Sequence, residues 1–498
     1  MKHKDKAIEL IKAFMFCALL LCLLFYTGKI LERKESTRKM GGFFAQKENI
    51  DILLFGDSHI RDAVFPIELW NDYGITSYNL AAGRSTHAVN YWLLKNALDH
   101  VEPELVVIDC TLIYYDESKV YEASVMHAPI DEFPLSINKI KMMNDLFDDW
   151  DDRLSFLYKF SLYHSRWNEL SEEDFKDRDS IIDKVNYGSE RSINVSIPDT
   201  YPQLDKDDKL ENDTINMEYL RKMIEECQAN GIDVLLTYIP FPANEERQRE
   251  ANSVYDIASE YNVHYVNFLD MDVVNYNTDC YDPSSHLNAS GGHKVTNFLG
   301  DYITKNYSIT DHREDPAYQS WNDNYEDYLQ NNLSELIEQR NLDDYLMLLA
   351  DKNLSCCIYI DESMVDYLNA DMNLKLSELI KNLSQYKSLE KFEAEGASGK
   401  KYFLIVDNGA EEVYESIDGA PLDIPNTTFG SARFGTDEAG RTYLYIRDGE
   451  KNCIDEKYAV TVVVIDKHTG IIEDVAGFIR FDKHLHYGIR EEWKEWEE

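Results

Sequence analysis

The chain has 498 residues, with 50 Lys and Arg against 92 Asp and Glu, a formal net charge of −42 at pH 7. So acidic a surface excludes a nucleic-acid partner, whose phosphates it would repel, and tightly held anionic polymers or lipid headgroups. The length exceeds one ordinary core and predicts two folded domains. The eight cysteines show no CxxC or zinc spacing, and no His/Asp cluster stands at ligand spacing, so neither a metal nor a cofactor is expected.

Ala13 to Tyr26 is apolar and uncharged, with Ile8, Leu10, Ile11, Ile30 and Leu31 extending it raggedly. The run is short for a membrane helix and long enough for a signal-peptide core. No small-x-small cleavage site stands after Tyr26, which predicts an uncleaved signal anchor over 13–31 behind a short tail, 1–12. Lysines on both sides lengthen the effective span by snorkelling, and their near-balance almost cancels the positive-inside rule. A lone N-terminal anchor commonly exports the chain behind it, so the bulk of the protein is expected outside the cytoplasm.

From residue 50 to about 305, strands and helices alternate. Strands are predicted at Ile52–Phe55, Thr76–Ala81, Leu105–Cys110, Ile232–Ile239 and Val263–Phe268. Helices are predicted at Ser85–His100, Ile215–Asn230, Glu245–Tyr261 and Gly291–Tyr307, the last with Ser290 as its cap. This rhythm predicts an α/β domain over 48–308, a parallel sheet between two layers of helices. The stretch 114–213, rich in aromatic and acidic residues, interrupts it as an insertion suited to a lid, a substrate wall or plain helical packing. Residues 309–328 turn polar and read as a linker. Beyond them, helices at Leu329–Gln339, Asp343–Leu349 and Leu374–Ser384 mix with strands at Leu354–Ile360, Lys401–Val406, Arg441–Ile446, Tyr458–Ile465 and Ile471–Val475. This predicts an α+β accessory domain over 329–498. Cys356-Cys357 belongs to a buried strand in this reading.

The chemistry concentrates at two points. Ile52-Leu53-Leu54-Phe55 runs into Gly56-Asp57-Ser58-His59, an apolar strand ending abruptly in a serine. A parallel sheet delivers a hydroxyl to its ligand-binding edge in this way. Far downstream stands Asp282-Pro283-Ser284-Ser285-His286-Leu287-Asn288. Together they supply a nucleophile, its base and an orienter.

These segments resemble the blocks of the SGNH/GDSL hydrolases, in particular the membrane-anchored bacterial type. Block I is similar to Gly56-Asp57-Ser58, with His59 where leucine is usual. Block II resembles Asn79-Leu80-Ala81-Ala82-Gly83-Arg84-Ser85, and block V resembles Asp282 to Asn288. The resemblance covers roughly 48–308 and implies a flavodoxin-like three-layer fold. It implies Ser58 as nucleophile, His286 as base, and backbone N–H groups of Ser58 and Gly83 as oxyanion donors. The third block, Gly-x-Asn-Asp, is absent, and Asp109-Cys110-Thr111 stands after the third strand. Thr111, or Tyr114 of the insertion, is the expected replacement donor. The family's aspartate lies three residues before the histidine, where Pro283 stands, so Asp282 is the expected orienter and Asp279 the reserve. His59, Arg84, Arg166 and Trp167 are candidate substrate contacts. His127, His164 and His293 read as structural.

The resemblance further implies an O-acyl esterase or acyltransferase, with O-acetyl the expected group, acting on acylated cell-envelope glycan through an acyl-enzyme. The alternative is a non-catalytic glycan-binding or scaffold protein with a degenerate site.

Overall fold

The computed structural model describes residues 2–198, 208–210, 213–283, 286–349, 353–367, 375–380, 383, 401–447, 449, 451–479 and 491–492. The N-terminal apolar run is one helix, α1 (Lys2–Leu31), into which the expected tail is absorbed, and α2 (Glu35–Ala45) comes after it. Ile8–Leu31 is long and apolar enough to cross a membrane, and no residue of its most apolar window is buried in the protein.

The first domain then runs β1 (Ile52–Phe55), α3 (Ser58–Ala63), α4 (Pro66–Tyr73), β2 (Ser77–Asn79), α5 (His87–Ala97) and β3 (Leu105–Asp109). The insertion contributes five short helices, α6 (His127–Ile130), α7 (Ile137–Leu146), α8 (Trp150–Leu157), α9 (Phe160–Tyr163) and α10 (Arg178–Ile181). The alternation resumes with α11 (Ile215–Ala229), β4 (Asp233–Tyr238), α12 (Glu245–Tyr261), β5 (His264–Asn267) and α13 (Ala289–Asn306). The five strands form one parallel sheet in the order β2-β1-β3-β4-β5.

Side chains on a strand alternate between faces, and here both faces are apolar. Leu53, Phe55, Val106, Ile108 and Leu236 pack with Leu93 of α5, Met223 of α11 and Val254 of α12. Ile52, Leu54, Leu105, Val107 and Leu235 pack with Ile60 of α3, Leu69 of α4 and Leu299 of α13. The result is the expected three-layer α/β/α sandwich. Ser290 does not cap α13. Asn288 does, accepting from Gly291 N at 3.2 Å, while Ser290 sits in the first turn and gives its hydroxyl to Asp279 at 3.0 Å.

The stretch read as a linker is partly helical. Half of it folds as the start of α14 (Gln319–Glu338). Trp321 is fully buried and stacks on Tyr187 of the insertion, centroids 3.9 Å apart and planes 6° apart. Trp321, Tyr325, Tyr328, Leu333 and Leu336 lie on one helical stripe that polar neighbours disguise. The stripe enters the first core at one end and a second core at the other. Trp321→Ala is expected to cost about 3–5 kcal/mol, measured as a lowered denaturant midpoint.

The second core begins with α15 (Leu342–Leu348), β6 (Leu354–Ile360), α16 (Leu376–Ile380), β7 (Tyr402–Asp407) and β8 (Glu412–Ser416). Then come β9 (Leu422–Thr427), β10 (Gly430–Thr436), β11 (Thr442–Ile446), β12 (Val460–Asp466), β13 (Ile472–Phe478) and β14 (Glu491–Glu492). An antiparallel sheet, β14-β13-β12-β6-β7-β8, is covered by α15 and α16 on one face and by the sheet β11-β10-β9 on the other. Cys356 and Cys357 occupy its two faces as buried free thiols. The flanks of the predicted helix 374–384, apart from residue 383, lie outside the described residues.

Candidate active site

The sheet's carboxyl edge shapes the site. Gly56 has φ +153°, and a Cβ there would lie 2.7 Å from Ile60 Cγ2 and 2.8 Å from Asp109 Cβ, so a side chain has no room. Asp57 caps α3, accepting from His59 N at 2.9 Å. Ser58 is therefore the first residue of a helix, and its N–H has no intrahelical partner.

The opposing loop is closed by a bridge between Cys280 and Leu287, in which Tyr281 N donates to His286 O at 3.0 Å. It sets His286 Nε2 at 2.7 Å from Ser58 Oγ, across 228 residues of sequence. His286 Nδ1 bonds Asp282 Oδ2, and His286 N donates to Asp282 Oδ1 at 3.3 Å. Asp279, the reserve, is buried and committed elsewhere, to Lys294 at 2.6 Å and Asn275 N at 2.7 Å.

The imidazole of His286 stacks with two rings, Tyr281 at 5.3 Å and 10° and His59 at 5.1 Å and 27°. Both rings are tethered. Tyr281 Oη donates to Asp62 at 2.8 Å, and Arg61 holds the same carboxylate at 2.7 Å. His59 Nδ1 pairs with Asp57 Oδ1 at 2.8 Å, and its ring rests on Phe241 at 4.7 Å. An imidazole so held keeps one ring plane and one tautomer, with Nε2 aimed at the hydroxyl. Tyr281, Asp62, Arg61 and Phe241 carried no signal in the sequence, because they act through other residues.

Thr111, an expected oxyanion donor, stands among acids. Its hydroxyl lies buried between two carboxylates, 3.1 Å from Asp57 Oδ1 and bonded to Asp109 Oδ2. Its single proton faces those carboxylates. Tyr114, the other expected donor, has its ring under the Arg247 guanidinium, 3.3 Å from the centroid.

The pair behind Ser58 splits in acidity. Burial alone would raise Asp57, but the charge and hydrogen bonds of His59, with the Thr111 hydroxyl, hold it at about 2. Burial and the Asp57 charge push Asp109 up to about 7. Burial lowers His59, yet Asp57 and Asp109 outweigh it and the net shift is upward. His87, with neither ring nitrogen hydrogen-bonded, is driven by burial down to about 4.

The raised groups, Asp109 and His59, stabilise the fold fully below their unfolded values and lose that contribution as pH rises through the folded values. For Asp109 that loss runs up through about 7. Asp57 acts oppositely, losing its contribution as pH falls toward about 2. Asp109→Asn keeps an acceptor for Ile239 N, now at 2.9 Å, and removes the ionisation. Thermal melts are expected to show the wild-type midpoint falling through neutral pH and the variant falling less.

Asn79 ties the block II segment to α3. Its Nδ2 donates to Ile60 O at 3.0 Å and Val64 O at 3.2 Å, and its Oδ1 accepts from Ala81 N at 3.2 Å. Gly83 stands next in a turn, with Arg61 NH1 3.7 Å from where its Cβ would stand. Arg84 takes φ +58° and points outward, its guanidinium 3.1 Å from Glu122 and 5.0 Å from the Tyr121 centroid.

Arg166 and Trp167 are not gathered into this cluster. The insertion folds back on α1, where Arg166 binds Leu31 O and Asp174, the latter at 3.2 Å. Trp167 beside it is exposed. His127 pairs with Asp131 at 2.8 Å, His293 with Glu68 at 2.6 Å, and His164 with Ser161 O at 2.9 Å, all structural contacts.

No family model and no curated protein matches the chain. Among solved structures, a protein described as an acylhydrolase from Bacteroides fragilis NCTC 9343 aligns at 12% identity, covering 52% of this chain and 92% of its own, with a TM-score of 0.26. A GDSL-like lipase from Bacteroides thetaiotaomicron VPI-5482 aligns at 12% identity, covering 51% and 87%, with a TM-score of 0.26. Both TM-scores lie below 0.5, and what the chain does rests on its own residues around Ser58.

Proposed function

We propose that the protein is a serine esterase or acyltransferase acting on O-acyl groups, O-acetyl foremost, of cell-envelope polysaccharide. The observation that carries this is the contact of Ser58 Oγ with His286 Nε2 at 2.7 Å, with Asp282 on the far nitrogen. His286 takes the Ser58 proton as Oγ attacks the ester carbonyl carbon. Asp282 holds the tautomer and stabilises the imidazolium. The N–H groups of Ser58 and Gly83 receive the oxyanion. Collapse breaks the ester C–O bond, and His286 returns the proton to the departing alcohol. Water, or a sugar hydroxyl, then attacks acyl-Ser58 with His286 again as base. The acceptor alone separates hydrolysis from transfer.

The glycan substrate rests on the family resemblance and on reading α1 as an uncleaved anchor with the bulk of the chain outside the cytoplasm. One observation favours the second reading, a glycan-binding protein without turnover. The Thr111 hydroxyl is engaged by Asp57 and Asp109, and an unreplaced oxyanion donor costs roughly 10²–10³ in rate. The test is release of acetate from 4-nitrophenyl acetate and from O-acetylated oligosaccharides, with and without unacetylated acceptor. Turnover supports the enzyme. Glycan binding without turnover, unchanged in Ser58→Ala, supports the alternative.

A further inference from the structure

Exposed apolar side chains are unevenly distributed over the molecule. Among the described residues, fifteen large apolar side chains outside α1 are exposed, and ten of them fall between Leu135 and Phe175. The rest of the surface shows the usual pattern of scattered single residues. Leu135 and Ile137 are each 74% exposed, Trp167 72% and Trp150 67%.

This face adjoins the end of α1. A Cβ on Gly28 would lie 3.7 Å from Phe160 Cβ, Lys159 pairs with Glu32 at 2.9 Å, and Arg166 binds Leu31 O. Leu24, Phe25 and Tyr26 of α1 line one cavity of about 840 Å³ together with Leu135, Leu157 and Phe175 of the insertion, and charged side chains, Lys29, Glu32, Lys34 and Arg178 among them, line it too. The uncharged stretch between Lys12 and Lys29 is 16 residues. That is about 24 Å of helix, against about 30 Å of hydrocarbon in a bilayer. A helix so short brings the membrane boundary up to Leu24–Lys29, the level of the cavity.

We propose that the insertion is a second membrane-contacting element, whose exposed apolar side chains lie in the interface of the bilayer that α1 crosses. The proposal rests on the anchor reading of α1. Exposed Trp and Tyr are the side chains that settle at such an interface. The continuity with α1 argues for lipid over a protein partner. Between Leu135 and Arg178 there are ten Asp and Glu against seven Lys and Arg. Attachment is therefore apolar, insensitive to salt and without preference for anionic lipid.

The test uses the full chain in phosphatidylcholine vesicles. Cys17 and Cys22 are the exposed cysteines among the described residues. An environment-sensitive fluorophore on them reports the anchor. With both changed to serine, Leu157→Cys and Trp167→Cys report the face, and Val413→Cys and Ile471→Cys serve as exposed controls. Acyl-brominated lipid is expected to lower emission at residues 17, 22, 157 and 167 by roughly twofold, at the depth of an interfacial apolar face, and to leave the controls unchanged at low and high salt. Quenching at 17 and 22 with none at 157 and 167 overturns the proposal and leaves the anchor standing. No quenching at 17 and 22 overturns the anchor reading itself. Blue-shifted emission at 157 and 167 without bromine quenching assigns the face to a protein partner and overturns the proposal.

Discussion

Ser58→Ala is expected to abolish ester turnover, lowering kcat by about 10⁴- to 10⁶-fold, while the circular dichroism spectrum and melting midpoint hold. The serine hydroxyl's contact in the structure is with His286, and the tight turn beside it depends on Gly56 and Asp57. Removing the hydroxyl removes the proposed nucleophile and leaves the turn. A residual rate near wild type would show that another group performs the chemistry.

Asp282→Asn is the second large effect, about 10⁴-fold in kcat at neutral pH. The carboxylate accepts from His286 Nδ1, and an amide nitrogen placed there would donate instead. The imidazole then protonates at Nε2 and loses the lone pair that faces Ser58. KM is expected to change little, and activity is expected to recover partly as pH rises. Asp279→Asn serves as the contrast. It loosens Lys294 and Asn275, lowers stability, and leaves the relay in place.

Ile52–Phe55 and Leu105–Asp109 were legible in the sequence because strands buried on both faces read as unbroken apolar runs. That Ser58, His286 and Asp282 meet was legible from the serine at the end of an apolar strand and from the family resemblance around His286. Other features depend on convergence that a linear reading does not show. Asp57 and Asp109 meet across Thr111, which turns an apparent donor into a bridge between carboxylates. The polar stretch before residue 328 hides Trp321, whose ring partner Tyr187 lies in the distant insertion. Arg166 has the chemistry of a substrate contact, and only the folding of the insertion back onto α1 commits it elsewhere. Strands β8, β9 and β10 went unpredicted because β8 and β9 are largely exposed and β10 carries Gly430 and Gly435 at positive φ.

The activated state of Ser58 is most directly read by reaction with a fluorophosphonate probe and peptide mass spectrometry on the folded full-length protein. One adduct at Ser58 is expected, absent in Ser58→Ala and strongly reduced in His286→Ala. An unlabelled Ser58 in folded protein, or labelling undiminished in His286→Ala, would contradict a serine activated by His286.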